Sequence, residues 1–88
     1  MTTQAKVEAA LYSHIAGAQV DLETGPSGKV FGWVVSSTFF GQEDKLRVAR
    51  VWTALREAIA PEDLEDVTMI FPVTPEEAQS IREDQQAS

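Results

Sequence analysis

The sequence predicts an α+β fold in which a three-stranded mixed sheet carries helices packed on one face, in the order α-β-β-α-β-α. Two observations support this prediction. Apolar residues recur at the spacing of one helix face in two segments, and in other segments they alternate along the chain as on a strand. A helical segment also separates the second strand from the third and is long enough for a parallel connection. We expect one domain over residues 1–82 and a frayed tail over 83–88.

The first predicted helix spans residues 2–16, and three apolar residues share its buried face: Val7, Leu11 and Ile15. Thr2 or Thr3 can cap its start, and Gly17 can end it in the left-handed conformation. Apolar and polar residues then alternate from Ala18 to Glu23, which predicts a strand with one wet face.

A cluster of turn residues, Thr24 to Gly28, joins this strand to a second one over Lys29–Ser36. The second strand carries apolar side chains on both faces, with Phe31, Trp33 and Val35 on one of them. A strand that is apolar on both faces is expected at the centre of the sheet.

The second helix is predicted from Glu43, and its buried stripe consists of Val48, Val51, Trp52, Leu55 and Ile59. Pro61 ends this helix, and Pro61 to Leu64 are expected to add one further helical turn.

A third strand is predicted where four apolar residues alternate along one face: Val67, Met69, Phe71 and Val73. Pro72 restricts this strand to an edge of the sheet or to its own end. Thr74, Pro75 and Glu77 then form a capping box that begins the last helix. In the expected topology the second strand is antiparallel to the first and parallel to the third, and the first two helices cover one face.

The amino-acid composition excludes several classes of function. The chain of 88 residues has no Cys, one His and a formal net charge of -7. Disulfides, thiol catalysis and Cys-ligated clusters are therefore excluded for this chain alone, and nonspecific nucleic-acid binding is disfavoured. Without a basic leader or a run of about 18 apolar residues, we expect a cytoplasmic protein that acts on protein partners as a monomer or weak dimer, with no membrane contact.

Three segments in order resemble the BolA family over roughly residues 5 to 80. The first matches the family's Val-Val-Ser-x-x-Phe-x-Gly pattern at Val34, Val35, Ser36, Phe39 and Gly41. The second is the helix core Arg47–Trp52, and the third is the Thr-Pro-Glu-Glu sequence at Thr74–Glu77. The resemblance implies the BolA fold, which is similar to a class II KH domain.

The same resemblance implies transcriptional regulation, an effect on cell shape, or the sharing of iron–sulfur clusters with monothiol glutaredoxins. The family's metal ligands are a His near the start of the last strand and a His or Cys in the loop between the first two strands. In this chain the position of the strand His falls at about Asp66, and the loop from Thr24 to Lys29 contains neither His nor Cys. The family's helix His is replaced by Val48. We therefore expect the family's fold without a metal or cofactor.

The second helix concentrates cations in an acidic chain. Its four cations are Lys45, Arg47, Arg50 and Arg56. Arg47 and Arg50 share one side of the helix, so a cationic ridge is expected beside the buried stripe. The ridge is either a docking surface for an acidic partner or phosphate, or a solvated helix face. Together with Trp52, Phe71 and Pro72 at the exposed end of the third strand, these cations form the predicted partner-binding set.

Other candidate residues favour structural roles. His14 has no adjacent acid or nucleophile, and Ser36 has no base in its motif, so we predict a partly buried structural His and a hydroxyl that caps a turn. Gly25 to Gly28 match the GxxG expression of KH domains, but they join two strands, as a plain hairpin turn does. We expect no pocket large enough for a substrate, and therefore no enzyme.

The leading hypothesis is a non-enzymatic, BolA-like regulatory or protein-interaction module that binds a protein through the second helix and the end of the third strand. One alternative is an iron–sulfur trafficking adaptor that works with a monothiol glutaredoxin. Another is a transcriptional regulator that binds nucleic acid through the KH-like scaffold.

Overall fold

The structure, a computed structural model, describes residues 2–87. Its elements follow the chain in the order α1 (Thr3–His14), β1 (Gln19–Thr24), β2 (Val30–Val35), a 3₁₀ turn (Ser37–Phe39), α2 (Asp44–Ala58), α3 (Pro61–Leu64), β3 (Val67–Val73) and α4 (Pro75–Ala87). The α+β class and the element order are as predicted, and α3 is the further helical turn. The predicted tail continues α4 as far as Ala87, and Ser88 lies outside the described residues.

The sheet has the predicted topology. Its strand order is β1-β2-β3, with β2 antiparallel to β1 and parallel to β3. Both outer strands therefore present an edge, and the two edges differ. Along β1, the Gln4 side chain donates to the Leu22 carbonyl at 2.9 Å, and the Tyr12 hydroxyl accepts from the Val20 amide at 3.4 Å. Side chains of α1 thus contact the backbone of β1, and along β3 the Arg47 side chain of α2 contacts the backbone at Pro72.

The core lies between one face of the sheet and the helices α1 and α2, as predicted. Its fully buried side chains come from both layers: Val7, Leu11, Val30, Val34, Phe39, Val51 and Leu55. The last helix, α4, borders the opposite face, where Ala78 and Ile81 line a small pocket with Trp33 and Val35. Most of that second face is left without a helix over it.

The ends of α1 follow the sequence signals. The Thr2 hydroxyl accepts a hydrogen bond from the Ala5 amide at 3.1 Å, and Gly17 after the helix has a φ of 65°. A side-chain oxygen at the start and a left-handed glycine at the end satisfy backbone groups that a helix terminus leaves unpaired.

Two predictions of burial on α2 are wrong. Val48, expected in the buried stripe of α2, is 41% exposed, while Arg47, expected on an exposed ridge, is only 8% exposed. The buried face of α2 consists of Arg47, Val51, Ala54 and Leu55. Arg47 can occupy this face because backbone carbonyls and a carboxylate from other elements surround its guanidinium, as described below.

A register shift in β3 also changes one face assignment. Val30 pairs with Val67, but the next residue, Phe31, pairs with Met69. The extra residue, Thr68, donates its hydroxyl to the Val30 carbonyl at 3.1 Å. As a result Val67 is buried beneath the helices, and it does not share the exposed face of Met69 and Phe71 as predicted.

No helix among residues 2–87 is long and apolar enough to cross a bilayer.

Gly32 is required by the close approach of β1 to β2. Its φ is 151°, and a Cβ at this position would overlap the Asp21 carbonyl oxygen and lie 2.8 Å from the Leu22 Cα. We expect Gly32→Ala to lower the free energy of unfolding by at least ~2 kcal/mol, because backbone strain and overpacking act together. Urea unfolding followed by Trp fluorescence measures this change.

Gly28→Ala is the matched control for this prediction. Gly28 also has a positive φ, of 82°, but its Cβ would meet open space. Gly28→Ala should lower the free energy of unfolding by only about 1 kcal/mol, because only the backbone conformation disfavours alanine there. Equal losses for the two variants would show that the contact between the strands does not demand glycine.

Candidate functional site

The open edge of β3 forms one wall of a groove of about 790 Å³. The other walls are the side of α2 that carries Arg47, Val48 and Trp52, and the first turns of α4. Its surface is mainly apolar, and the side chains that provide this surface are Trp33, Val48, Trp52, Met69, Phe71 and Ile81. We call this feature the edge groove. Its size contradicts the expectation that the chain has no sizeable concave site.

Pro72 explains why β3 ends the sheet. The Val73 carbonyl accepts from the Ser36 amide at 3.0 Å and so faces inward, toward the extension of β2. In a parallel sheet the backbone N–H and C=O groups of neighbouring residues point to opposite sides of the strand. The backbone of Pro72 therefore faces outward, away from β2, where its missing N–H costs no hydrogen bond of the sheet. Its carbonyl accepts from Arg47 Nη1 at 3.5 Å.

A buried guanidinium joins the walls of the edge groove. Arg47 Nε donates to the Gln42 carbonyl at 2.9 Å, and Arg47 Nη1 donates to Glu77 Oε1 at 2.6 Å. Glu77 Oε1 also accepts from the Thr74 amide at 2.8 Å, and Thr74 Oγ1 accepts from the Glu77 amide at 3.3 Å. The capping box predicted from the sequence is therefore present, and it is tied to α2 through Arg47.

These contacts perturb the Glu77 carboxyl. The Thr74 amide, followed by the Arg47 guanidinium, holds the pKa of Glu77 below its usual range. The carboxylate side chain is 46% exposed, whereas the Arg47 side chain is only 9% exposed. The pair is therefore buried on one side and open to water on the other, which limits its contribution to stability.

Large apolar side chains of the edge groove are exposed. Met69 is 57% exposed, Val48 41% and Phe71 40%. The Phe71 ring lies 4.9 Å from the Trp33 ring, tilted by 35°. Exposed apolar surface of this kind, gathered in one concavity, is typical of an interaction site.

The structure separates the predicted partner-binding set. Arg47, Trp52, Phe71 and Pro72 line the edge groove. Lys45 and Arg56 do not line this groove; they are exposed on α2 and line an adjoining shallow depression, which shares Val48 and Trp52 with the edge groove.

Arg50 belongs to neither surface. Its guanidinium donates to the Thr38 carbonyl at 3.2 Å and to Gln42 Oε1 at 3.0 Å, and it lies 5.1 Å from the centre of the Phe39 ring. It braces the segment after β2. With Arg47 buried and Arg50 engaged, a continuous exposed cationic ridge does not form, so that expectation is wrong.

Sequence reasoning missed Trp33, Met69 and Ile81 as groove residues. The sequence did indicate the first two, because Trp33 and Met69 lie at alternating strand positions on a face of the sheet for which no covering helix was predicted. Ile81 gave no such signal, because the position of α4 depends on the contact between Glu77 and Arg47.

The remaining candidate residues have local roles. Ser36 Oγ donates to the Ala16 carbonyl at 2.8 Å and accepts from the Thr38 amide at 3.2 Å, so its capping role is confirmed. His14 is exposed, not partly buried as expected, and its Nδ1 lies 3.8 Å from Glu57 Oε2. Asp66 pairs with Lys29 at 3.4 Å, at the end of the Gly25–Gly28 turn. Within residues 2–83, whose side chains the structure describes, no three His, Cys, Asp or Glu side chains are arranged to hold a metal ion.

Glu77→Gln tests the link between α2 and α4. Because the pKa of Glu77 is lower in the folded than in the unfolded chain, its ionised form stabilises the fold above about pH 4.3, and this contribution is lost as the pH falls through the lowered pKa. We expect the variant to lose about 1 kcal/mol at pH 7. The difference from the unmodified protein should shrink in acid, as measured by urea unfolding at several pH values.

Glu76→Gln serves as the control, because Glu76 lies in the same helical turn and is exposed. It should change stability by less than about 0.5 kcal/mol. A loss for Glu77→Gln that is matched by Glu76→Gln, or that persists unchanged in acid, would contradict the role given to the pair.

No family model matches the chain, and a search of curated proteins finds no match. The function of the edge groove must therefore be inferred from its shape, its charges and its exposed side chains.

Proposed function

We propose that the protein is a non-enzymatic, BolA-like interaction module that binds a partner protein in the edge groove and thereby regulates it. The exposure of Met69, Val48 and Phe71 in one concavity carries this proposal. A partner that covers these side chains removes apolar surface from water, which is the main favourable term in most protein association.

The shape of the groove favours a protein segment over a small molecule. The groove is open along the strand edge and continues around Phe71 onto the uncovered face of the sheet, where Trp33 lies. Small ligands are usually enclosed on most of their surface, whereas a groove of this form suits the side chains of a polypeptide.

The resemblance to the BolA family supports the choice of scaffold, because its motif residues have structural roles here. Ser36 caps the turn after β2, Phe39 is fully buried and Gly41 has a φ of 77°. Glu77 closes the capping box of α4. Each of these positions therefore needs its residue type for a physical reason.

The charges of the edge groove weigh against the alternative of nucleic-acid binding. Asp44 and Glu76 place exposed carboxylates at its rim, and these repel a nucleic-acid backbone. The iron–sulfur alternative stays a prediction, which anaerobic reconstitution with a monothiol glutaredoxin can test by its visible absorption.

Photo-crosslinking tests the proposal directly. A photoreactive phenylalanine analogue replaces Met69 in one version of the chain and Phe40 in another, in cells that naturally make the protein. Phe40 is the matched control, since it is 76% exposed and lies outside the edge groove. We expect a discrete crosslinked partner from position 69 and none from position 40.

Two outcomes would contradict the proposed function. One is the absence of any crosslinked protein from position 69, and the other is the same set of products from both positions. Circular dichroism of each version shows beforehand that the fold is unchanged.

A further inference from the structure

We infer that the edge groove binds an amphipathic helix whose apolar face is flanked by Lys or Arg side chains. This inference rests on the proposed function and adds the conformation and the charge of the partner segment. Three observations carry it: the backbone chemistry of the β3 edge, the charges around the groove, and the apolar surface between them.

The backbone of β3 is poorly suited to pairing with another strand. Pro72 has no N–H to donate at the outward position, and its carbonyl already accepts from Arg47. Proline on an edge strand is a known obstacle to strand addition. The partner must therefore be held mainly by side chains, and a helix offers apolar side chains at one face without needing the strand's backbone groups.

The charged side chains that line the groove are mainly acidic: Asp44, Arg47, Glu76 and Glu77. Arg47 and Glu77 neutralise each other at 2.6 Å. Within the part of the chain that the structure describes, Asp44 and Glu76 take part in no ion pair, and both are exposed. A partner with cations beside its apolar face would pair with these two carboxylates.

The opposite margin of the apolar surface is acidic as well. On the uncovered face of the sheet, Asp21 is the cross-strand neighbour of Trp33, and Glu23 is the neighbour of Phe31. The aromatic side chains of β2 and β3 thus lie between two pairs of exposed carboxylates.

Other cations lie at the margins of this surface. Arg82 lines the small pocket that also contains Asp21, and Lys45 and Arg56 line a depression on α2 that shares Asp44 with the edge groove. Among the described residues that line the edge groove itself, the one cation is Arg47, which is paired with Glu77. An acidic partner in the groove would therefore meet carboxylates.

A second copy of this chain is a poor occupant for the same reason. Each copy has a formal net charge of -7, and a symmetric contact at the groove would bring its carboxylates against their own kind.

Fluorescence anisotropy with three synthetic peptides tests the inference. The first is an amphipathic helix of about 18 residues made of Leu and Lys, the second has Glu in place of every Lys, and the third is the basic peptide with a central Pro. We expect the first to bind the full chain at least about tenfold more tightly than the other two, and to weaken as salt is raised from about 0.02 M to about 0.2 M.

Matched variants locate the binding. Phe71→Ala should weaken binding of the basic peptide by about tenfold, and Met69→Gln should weaken it by at least about threefold. Phe40→Ala should change the affinity by less than about twofold. Met69→Gln keeps the test meaningful if Phe71→Ala perturbs the fold, because Met69 is the more exposed of the two. Asp44→Asn with Glu76→Gln should weaken binding roughly fivefold, and the control pair Glu57→Gln with Glu62→Gln should not, although both pairs remove two charges.

Several results would overturn the inference. They are a preference for the acidic peptide, equal binding of the peptide with proline, equal effects of the two charge pairs, and a dimer in sedimentation that Met69→Gln dissociates. Its failure is distinct from failure of the proposed function. If position 69 crosslinks a partner in cells but the acidic or proline peptide binds best, the groove binds a protein and only the stated chemistry of that protein is wrong.

Discussion

The arrangement of α2, β3 and α4 depends on one buried guanidinium. Arg47 lies on the buried face of α2, where its Nε donates to the Gln42 carbonyl and its Nη1 donates to the Pro72 carbonyl and to Glu77. A buried charge is tolerated only when such partners surround it, so these partners must stay where they are. Since Glu77 also closes the capping box with Thr74, the direction in which α4 leaves β3 is tied to the position of α2.

The groove is a consequence of this arrangement. Because α4 is anchored at its first turn, it borders the corner of the sheet near Val35 and leaves the edge of β3 uncovered. At the other edge α1 lies close enough for Gln4 and Tyr12 to contact the backbone of β1. At the β3 edge the helix side chain that contacts the backbone is Arg47, at Pro72, and the exposed Met69 and Phe71 make this edge apolar.

Much of the fold could be predicted from local sequence signals. Periodicity located the helices and strands, Pro72 placed β3 at an edge, and Thr74 with Glu77 marked the start of α4, because each signal acts within a few residues. Periodicity places Val48 on the buried face of α2, but the structure has Arg47 there. This difference could not be predicted, because Pro72 and Glu77, which accept hydrogen bonds from Arg47, are distant in the chain. The extra residue at Thr68 and the groove itself likewise depend on contacts between elements, to which periodicity is blind.

The central claim is that the edge groove is a binding surface, and the two Trp residues of the chain offer the most direct measurement. Both Trp33 and Trp52 line the groove, so their indole N–H signals in a ¹H–¹⁵N correlation spectrum report on it. When the basic amphipathic peptide is added, both indole signals should shift, while the amide signal of Ser13, on the exposed side of α1, should stay in place. Unmoved indole signals, with shifts confined to α1, would contradict it.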